Sequence, residues 1–163
     1  VAAALGICLN GTSHEGEAAI QLECLAQQVF HSQPSAYAYR IDHIQTHNES
    51  IHHINWQPMW YDLLLDLKNG VQKNIIAARF HRTVIAAVAE LAKQLCDTHH
   101  VESIVLCGGA FQNKLLLETL ATDFEKFGSK VLIAQRLPIN DGGLSLGQAA
   151  IAAATQLSGL EHH

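Results

Sequence analysis

Apolar residues recur every three or four positions over most of this chain, and the breaks in that rhythm divide it into elements. Val1 to Gly6 read as the last turns of a helix closing on a glycine C-cap. Asn10-Gly11-Thr12-Ser13 is turn chemistry. Ala18, Ala19, Leu22, Leu25, Ala26 and Val29 then predict a helix over about residues 15–30, with Ser13 as its cap and Glu15 and Glu17 complementing its dipole. From Gln33 to Gln57 the period falls to two. Tyr37, Tyr39 and Ile41 alternate with small and polar residues. After a polar stretch around Thr46 to Ser50, Ile51, His53 and Asn55 alternate with His52, Ile54 and Trp56, which predicts two short strands and a hairpin-like excursion. Pro58 suits a helix start, and Trp60, Leu63, Leu64 and Leu67 carry that helix to Asn69-Gly70. Val71 to about Cys96 holds the longest helical periodicity, through Ile76, Phe80, Val84, Ala87, Leu91 and Leu95.

The final third reads strand, helix, strand, helix. Glu102 to Leu106 and Lys130 to Ala134 are the strands; Phe111 to Thr122 and Leu144 to Gln156 are the helices. That order predicts an α/β fold with a mostly parallel sheet flanked by helices. Ligands of such sheets lie outside the carboxyl ends of the strands. Two glycine turns follow those ends: Gly108-Gly109 and Asn140-Asp141-Gly142-Gly143.

Composition narrows the class. A chain of 163 residues, 48% hydrophobic and 15% charged, can form one domain with a real core. The net charge of −5 gives no basic footprint for nucleic acid. No apolar run approaches the roughly 20 residues that span a bilayer, so no membrane partner is expected. Cys8, Cys24, Cys96 and Cys107 form no C-x-x-C pair and read as small buried hydrophobes in a reducing, cytoplasmic setting. No leader is legible at Val1, and Leu160-Glu161-His162-His163 has the look of a tag remnant; the expectation is a piece of a longer protein.

The two glycine turns carry the chemistry. A helix N-terminus after a glycine turn offers unpaired N–H groups and partial positive charge to an anion. Gly108-Gly109 fits neither the dinucleotide fingerprint nor a Walker loop, and a tight turn with no ligand remains the alternative. Asn113, placed one turn into the next helix, could reach a ribose hydroxyl or a phosphate oxygen. Asp141 reads either as a helix N-cap or as a hard oxygen ligand for a divalent metal, whose other ligands must come from elsewhere. The eleven histidines contain no metal-binding helix pair; His81 reads as packed or hydrogen-bonded.

Leu106-Cys107-Gly108-Gly109-Ala110-Phe111-Gln112-Asn113-Lys114-Leu115-Leu116, with Leu137-Pro138-Ile139-Asn140-Asp141-Gly142-Gly143-Leu144-Ser145-Leu146-Gly147-Gln148-Ala149, resembles the C-terminal end of the HypF family. Those are the carbamoyltransferases of NiFe-hydrogenase maturation, similar here to TsaD-type tRNA threonylcarbamoyl transferases. Val1 to Gly6, His14 to Ala19 and Ala77 to His81 fit as well, so the likeness spans residues 1–159. It implies the second RNase-H-like half of an actin/Hsp70-like fold. It also implies nucleotide contacts at Gly108, Gly109 and Asn113, with Gly6 as a further candidate, and Asp141 as a ligand of a divalent metal completed by a His pair outside this chain. The implied chemistry converts carbamoyl phosphate and ATP into carbamoyl-adenylate and passes the carbamoyl group to a C-terminal cysteine of the partner HypE. The rest of the same protein is the other implied partner. Glu17 stands where the family leads one to expect Gln, and Cys107 would be a turn residue only. A partner-docking module, or half of a sugar or acyl kinase of the same superfold, are the alternatives. On the carbamoyltransferase reading the isolated piece is expected to be inactive, and the chain alone to bind nucleotide weakly or not at all, since one wall cannot enclose a ligand.

Overall fold

In a computed structural model, the structure describes residues 1–32, 35–45 and 50–160. The polar stretch predicted to turn the hairpin, and the last three residues of the suspected tag, lie outside them. Among the described residues the α-helices are α1 (Glu17–Gln27), α2 (Gln57–Lys68), α3 (Lys73–His99), α4 (Lys114–Lys126) and α5 (Leu144–Leu160). Four strands are β1 (Arg40–Gln45), β2 (Ser50–Asn55), β3 (Ser103–Leu106) and β4 (Lys130–Ile133). No helix among the described residues is long and apolar enough to cross a membrane.

The long helix α3 is the axis on which α1, α2 and α4 pack. Its small residues permit this: Ala77, Ala78 and Ala87 are fully buried, and Ala26 of α1 is too. Leu63 of α2, Ile76 of α3 and Leu120 and Phe124 of α4 fill the remaining space. The segment before β1 is tied to this body by Tyr37, whose N–H donates to Thr83 Oγ1 at 2.8 Å and whose hydroxyl donates to Asp66 at 2.8 Å. Arg79 closes the group, reaching Asp66 at 2.7 Å with its guanidinium over the Tyr37 ring.

Sheet pairing matches the α/β expectation at small scale. β3 and β4 run parallel, with Ser103 opposite Lys130 and Leu106 opposite Ile133, and α4 is their crossover. β1 and β2 form the antiparallel hairpin, from Arg40 opposite Asn55 to Gln45 opposite Ser50. One face of the parallel pair, Ile104, Leu106, Val131 and Ile133, joins the core. Val105 and Leu132 on the other face are 61% and 42% exposed. α5 carries Leu144, Leu146 and Ile151 in water as well.

The element edges differ from the sequence expectation where tertiary contacts intervene. β1 starts at Arg40: the Tyr37 N–H is taken by Thr83 Oγ1 and not by a neighbouring strand, while the Tyr37 and Tyr39 hydroxyls are held by Asp66 and Glu90. The helix expected from Phe111 begins at Lys114, after a 3-10 turn over Gly109–Gln112. At α1 the Ser13 contact runs opposite to a cap: Ser13 donates its N–H and hydroxyl to Glu17 at 2.6 and 2.9 Å. Those bonds hold the Glu17 carboxyl below its usual range.

Candidate anion and metal site at two joined glycine turns

β3 ends at Leu106 and hands the chain to Gly108, whose φ of +101° and ψ of 163° only glycine adopts readily. The Gly108 N–H donates to the Ile139 carbonyl at 2.6 Å. Ile139 belongs to the second glycine turn, so one backbone hydrogen bond fastens the two turns together. The 3-10 turn that follows is closed by Phe111 N–H to Gly108 carbonyl and Asn113 N–H to Ala110 carbonyl, at 3.1 and 3.2 Å. The N–H groups of Gly109 and Ala110 have no acceptor among the described residues. A Cβ added at Gly109 would meet nothing within 4 Å, and its φ lies outside the left-handed region. The fold itself therefore does not demand glycine there.

The second turn is built from within. Asn140 Oδ1 accepts from the Gly142 N–H at 3.2 Å and the Asn140 carbonyl accepts from Gly143 N–H at 3.1 Å. A Cβ on Gly143 would come within 3.1 Å of the Pro138 carbonyl, and one on Gly142 within 3.1 Å of the Asn140 side chain. The N-cap is thus Asn140, which removes the capping alternative for Asp141. The Asp141 side chain is exposed and makes no hydrogen bond or ion pair among the described residues.

The start of α4 is the main departure from the sequence reading. Its N–H groups are already taken. Asn113 is the N-cap, not a residue one turn inside, and its Oδ1 accepts from Leu116 N–H at 3.0 Å. Glu23 of α1 is 8% exposed, and its Oε1 accepts from Lys114 N–H at 2.7 Å and from Leu115 N–H at 3.2 Å. The chain's own carboxylate sits where an anion was expected to settle. Any anion at this turn meets the Gly109 and Ala110 amides instead. Sequence reasoning missed Glu23, although one signal was present: a carboxylate between Leu22 and Ala26 lies on the apolar face of α1.

His81, 2% exposed, completes the arrangement. Its Nδ1 lies 2.8 Å from the Ala77 carbonyl, which can only accept, so Nδ1 carries the proton. Nε2 then accepts from Asn113 Nδ2 at 3.0 Å, which fixes the Asn113 amide with its oxygen toward Leu116. Burial lowers the His81 pKa below the usual imidazole value, against the opposing pulls of the Ala77 carbonyl and the Glu23 charge. Protonating Nε2 would set two donors against each other at Asn113. A depressed pKa means that the unfolded chain binds the extra proton first, so the His81 contribution to stability is complete above about pH 6.5 and declines as pH falls toward the folded value. Urea unfolding of the wild type and of His81→Gln at pH 7.5 and 5.5 checks this: the wild type loses more stability on acidification than the variant.

Beside the first turn is a pocket of about 310 Å³ with mostly apolar walls, from Ala19 and Ile20 on α1, Phe80 and Val84 on α3, and Gly109 and Ala110 of the turn. Its volume lies at the small end of ligand pockets. Gly6 is not part of its wall; it caps the first short turn with φ +75°, near Lys73 Nζ. A larger hollow of about 600 Å³ between Phe30, Arg82 and α4 touches none of the glycine-turn residues. Cys107 is exposed at the end of β3. Among the described residues no three of His, Cys, Asp and Glu come together to hold a metal ion.

The fold and the paired turns define a carbamoyltransferase-type domain: residues 1–148 match the family described as carbamoyltransferase, Kae1-like domain, second subdomain, and the chain belongs to that family. Its relatives are HypF carbamoyltransferases. The chain is 35% identical to the carbamoyltransferase HypF of Rhodobacter capsulatus over 94% of its own length and 18% of that protein's. It is 29% identical to the HypF of Synechocystis over 91% of itself and 18% of that protein. A tRNA N6-adenosine threonylcarbamoyltransferase of Clostridium perfringens is 29% identical over 53% of the chain and 26% of that protein. Among solved structures, full-length HypF in a phosphate- and nucleotide-bound form superposes with a TM-score of 0.77 at 32% identity, over 93% of this chain and 19% of that one. The chain therefore spans about a fifth of the length of the HypF relatives it matches.

Proposed function

We propose that this chain supplies one wall of a cleft that holds a nucleotide and a divalent metal ion for carbamoyl transfer. The observation that carries this reading is the Gly108–Ile139 hydrogen bond, which joins a turn with two amides to a turn with a carboxylate, none of them partnered among the described residues. The residues present fit both groups. Gly109 leaves open space beside free N–H donors, suited to a phosphoryl oxygen approaching the backbone. Asp141 offers a hard oxygen ligand of the type divalent ions accept alongside phosphates. One carboxylate is not a complete site, so the remaining ligands come from a longer polypeptide.

In this reading the substrates are carbamoyl phosphate and ATP, the bound intermediate is carbamoyl-adenylate, and the acceptor is a C-terminal cysteine of HypE in the cytoplasm. The metal, when bound, supplies charge stabilisation at a phosphoryl or carbamoyl oxygen. The chain's own part is positional. The Gly109 and Ala110 amides hold an oxyanion without reorganising, because the 3-10 turn and the Asn113 cap fix them. The apolar pocket bounded by Phe80 and Val84 excludes water beside them. Gly108 and Asn113 act by shaping the turn, since the N–H of one and the side chain of the other are engaged within the protein.

The test is made in a polypeptide that joins this chain to the segment preceding it in HypF relatives. With an ATP analogue and Mg²⁺, Asp141→Asn weakens binding at least about tenfold by calorimetry, whereas with EDTA in place of Mg²⁺ variant and parent bind alike. Equal affinity in Mg²⁺ would remove Asp141 from the metal site.

A further inference from the structure

We propose that His43 and His52 bind one divalent transition-metal ion of the zinc class, clipping β1 to β2. This stands apart from the glycine turns and does not depend on the carbamoyltransferase reading. The two residues are direct cross-strand partners, so their side chains leave the hairpin on the same face. Their rings lie 4.4 Å apart between centroids with planes at 68°.

The second observation is an orphaned nitrogen. His52 Nδ1 is shielded from water and has no hydrogen-bond partner among the described residues. A shielded ring nitrogen left unpaired costs about 1–3 kcal/mol, so this lone pair gains from any partner the site can take. With its proton on the other nitrogen, His52 presents a bare lone pair, and the neighbouring imidazole is the natural second donor. Imidazole suits zinc, copper and nickel. Metal–nitrogen bonds of about 2.0–2.1 Å at a tetrahedral angle place two ring centres about 5 Å apart. The rings meet edge to face at 4.4 Å, so the pair reaches that by opening slightly and by turning one ring until both nitrogens face one point. His43 is exposed, which leaves the outer coordination positions to water.

The hairpin has a use for such a clip. A two-stranded hairpin is marginal in water, and its other face sets Ile44 against Ile51, both about half exposed. Asp42 and His53 lie on that other face, with Asp42 held by Asn55 Nδ2 at 2.9 Å, so neither can join the His43–His52 pair. Two protein ligands give a site of micromolar rather than nanomolar strength.

Zinc titrated by calorimetry into the chain carrying His162→Ala and His163→Ala tests the proposal without interference from the C-terminal histidines. The expected result is one site with a Kd of about 1–100 μM, weakened at least about tenfold by His43→Gln and by His52→Gln and unchanged by His53→Gln. Wild-type affinity in the first two variants, or no binding at about 1 mM zinc, overturns it. Should either variant fail to fold, imidazole nitrogen resonances of the parent decide: His43 and His52 shift together on zinc addition, and unmoved signals at saturation overturn the site equally.

Discussion

Glu23→Ala lowers the unfolding free energy by about 2–4 kcal/mol, because it removes a charged acceptor and strands two N–H groups at the start of a helix. Among the described residues the Lys114 and Leu115 amides have no other acceptor, and Leu115 is itself buried, so water cannot fully replace the carboxylate. For a chain of this size that is a drop of roughly 5–15 °C in Tm. Glu23→Gln keeps an acceptor oxygen and loses only the charge, so it costs about 1 kcal/mol. Urea denaturation of the three proteins at one pH gives both values. Stability of Glu23→Ala within about 0.5 kcal/mol of the parent would mean that the carboxylate does not cap α4.

On the proposed reading, Gly109→Val abolishes most nucleotide binding while leaving the fold intact. The position is exposed, its φ is not left-handed, and among the described residues nothing beyond its two chain neighbours lies within 4 Å of an added Cβ. A side chain there fills only the space beside the free Gly109 and Ala110 amides. In the longer polypeptide described above, calorimetry with an ATP analogue shows a loss of at least about tenfold for Val and less for Ala, with Tm unchanged in both. This contrasts with Gly108, where any side chain strains a φ of +101° and mixes folding with binding. Unchanged affinity in Gly109→Val, with the fold intact, separates these amides from the nucleotide. Read beside the Asp141→Asn titration, it also tells whether the anion half or the metal half of the proposal has failed.

Local signals in the sequence carried much of this architecture. The 3.6-residue repeat of α3 survives any tertiary context because the helix buries residues around much of its surface, from Ile76 through Ala89. The β3 and β4 runs are short and apolar; β3 runs into Gly108-Gly109 and β4 into a polar stretch that leads to Pro138 and Gly142-Gly143, so their carboxyl ends and the turns behind them were legible. The hairpin was legible as two alternating segments, but the start of β1 was not, because Tyr37 is claimed by Thr83 and Asp66, 46 and 29 residues away. The start of α4 was misplaced for the same kind of reason. Asn113 and Glu23 cap it from a turn and from a helix 91 residues upstream of Lys114, and no local window contains both. Asp141 shows how little separates two readings of one residue. An Asn-Asp pair before Gly-Gly offers two candidate caps, and the structure gives the cap to Asn140, leaving the Asp141 carboxylate unpartnered.

The outward side of the β3–β4 pair has a consequence for every measurement on this chain. Parallel strands are ordinarily roofed on both sides, and here Val105 and Leu132 have water above them, with the apolar residues of α5 also in water. Such surfaces find one another as the solution thickens, and whatever covers them in the folded form alone raises the apparent melting point by mass action. If two copies cover these faces for one another, the melting point of the chain rises with concentration. Variants are comparable only at one common dilution, and a dilution series on the parent reports how much of its endurance is borrowed from its neighbours.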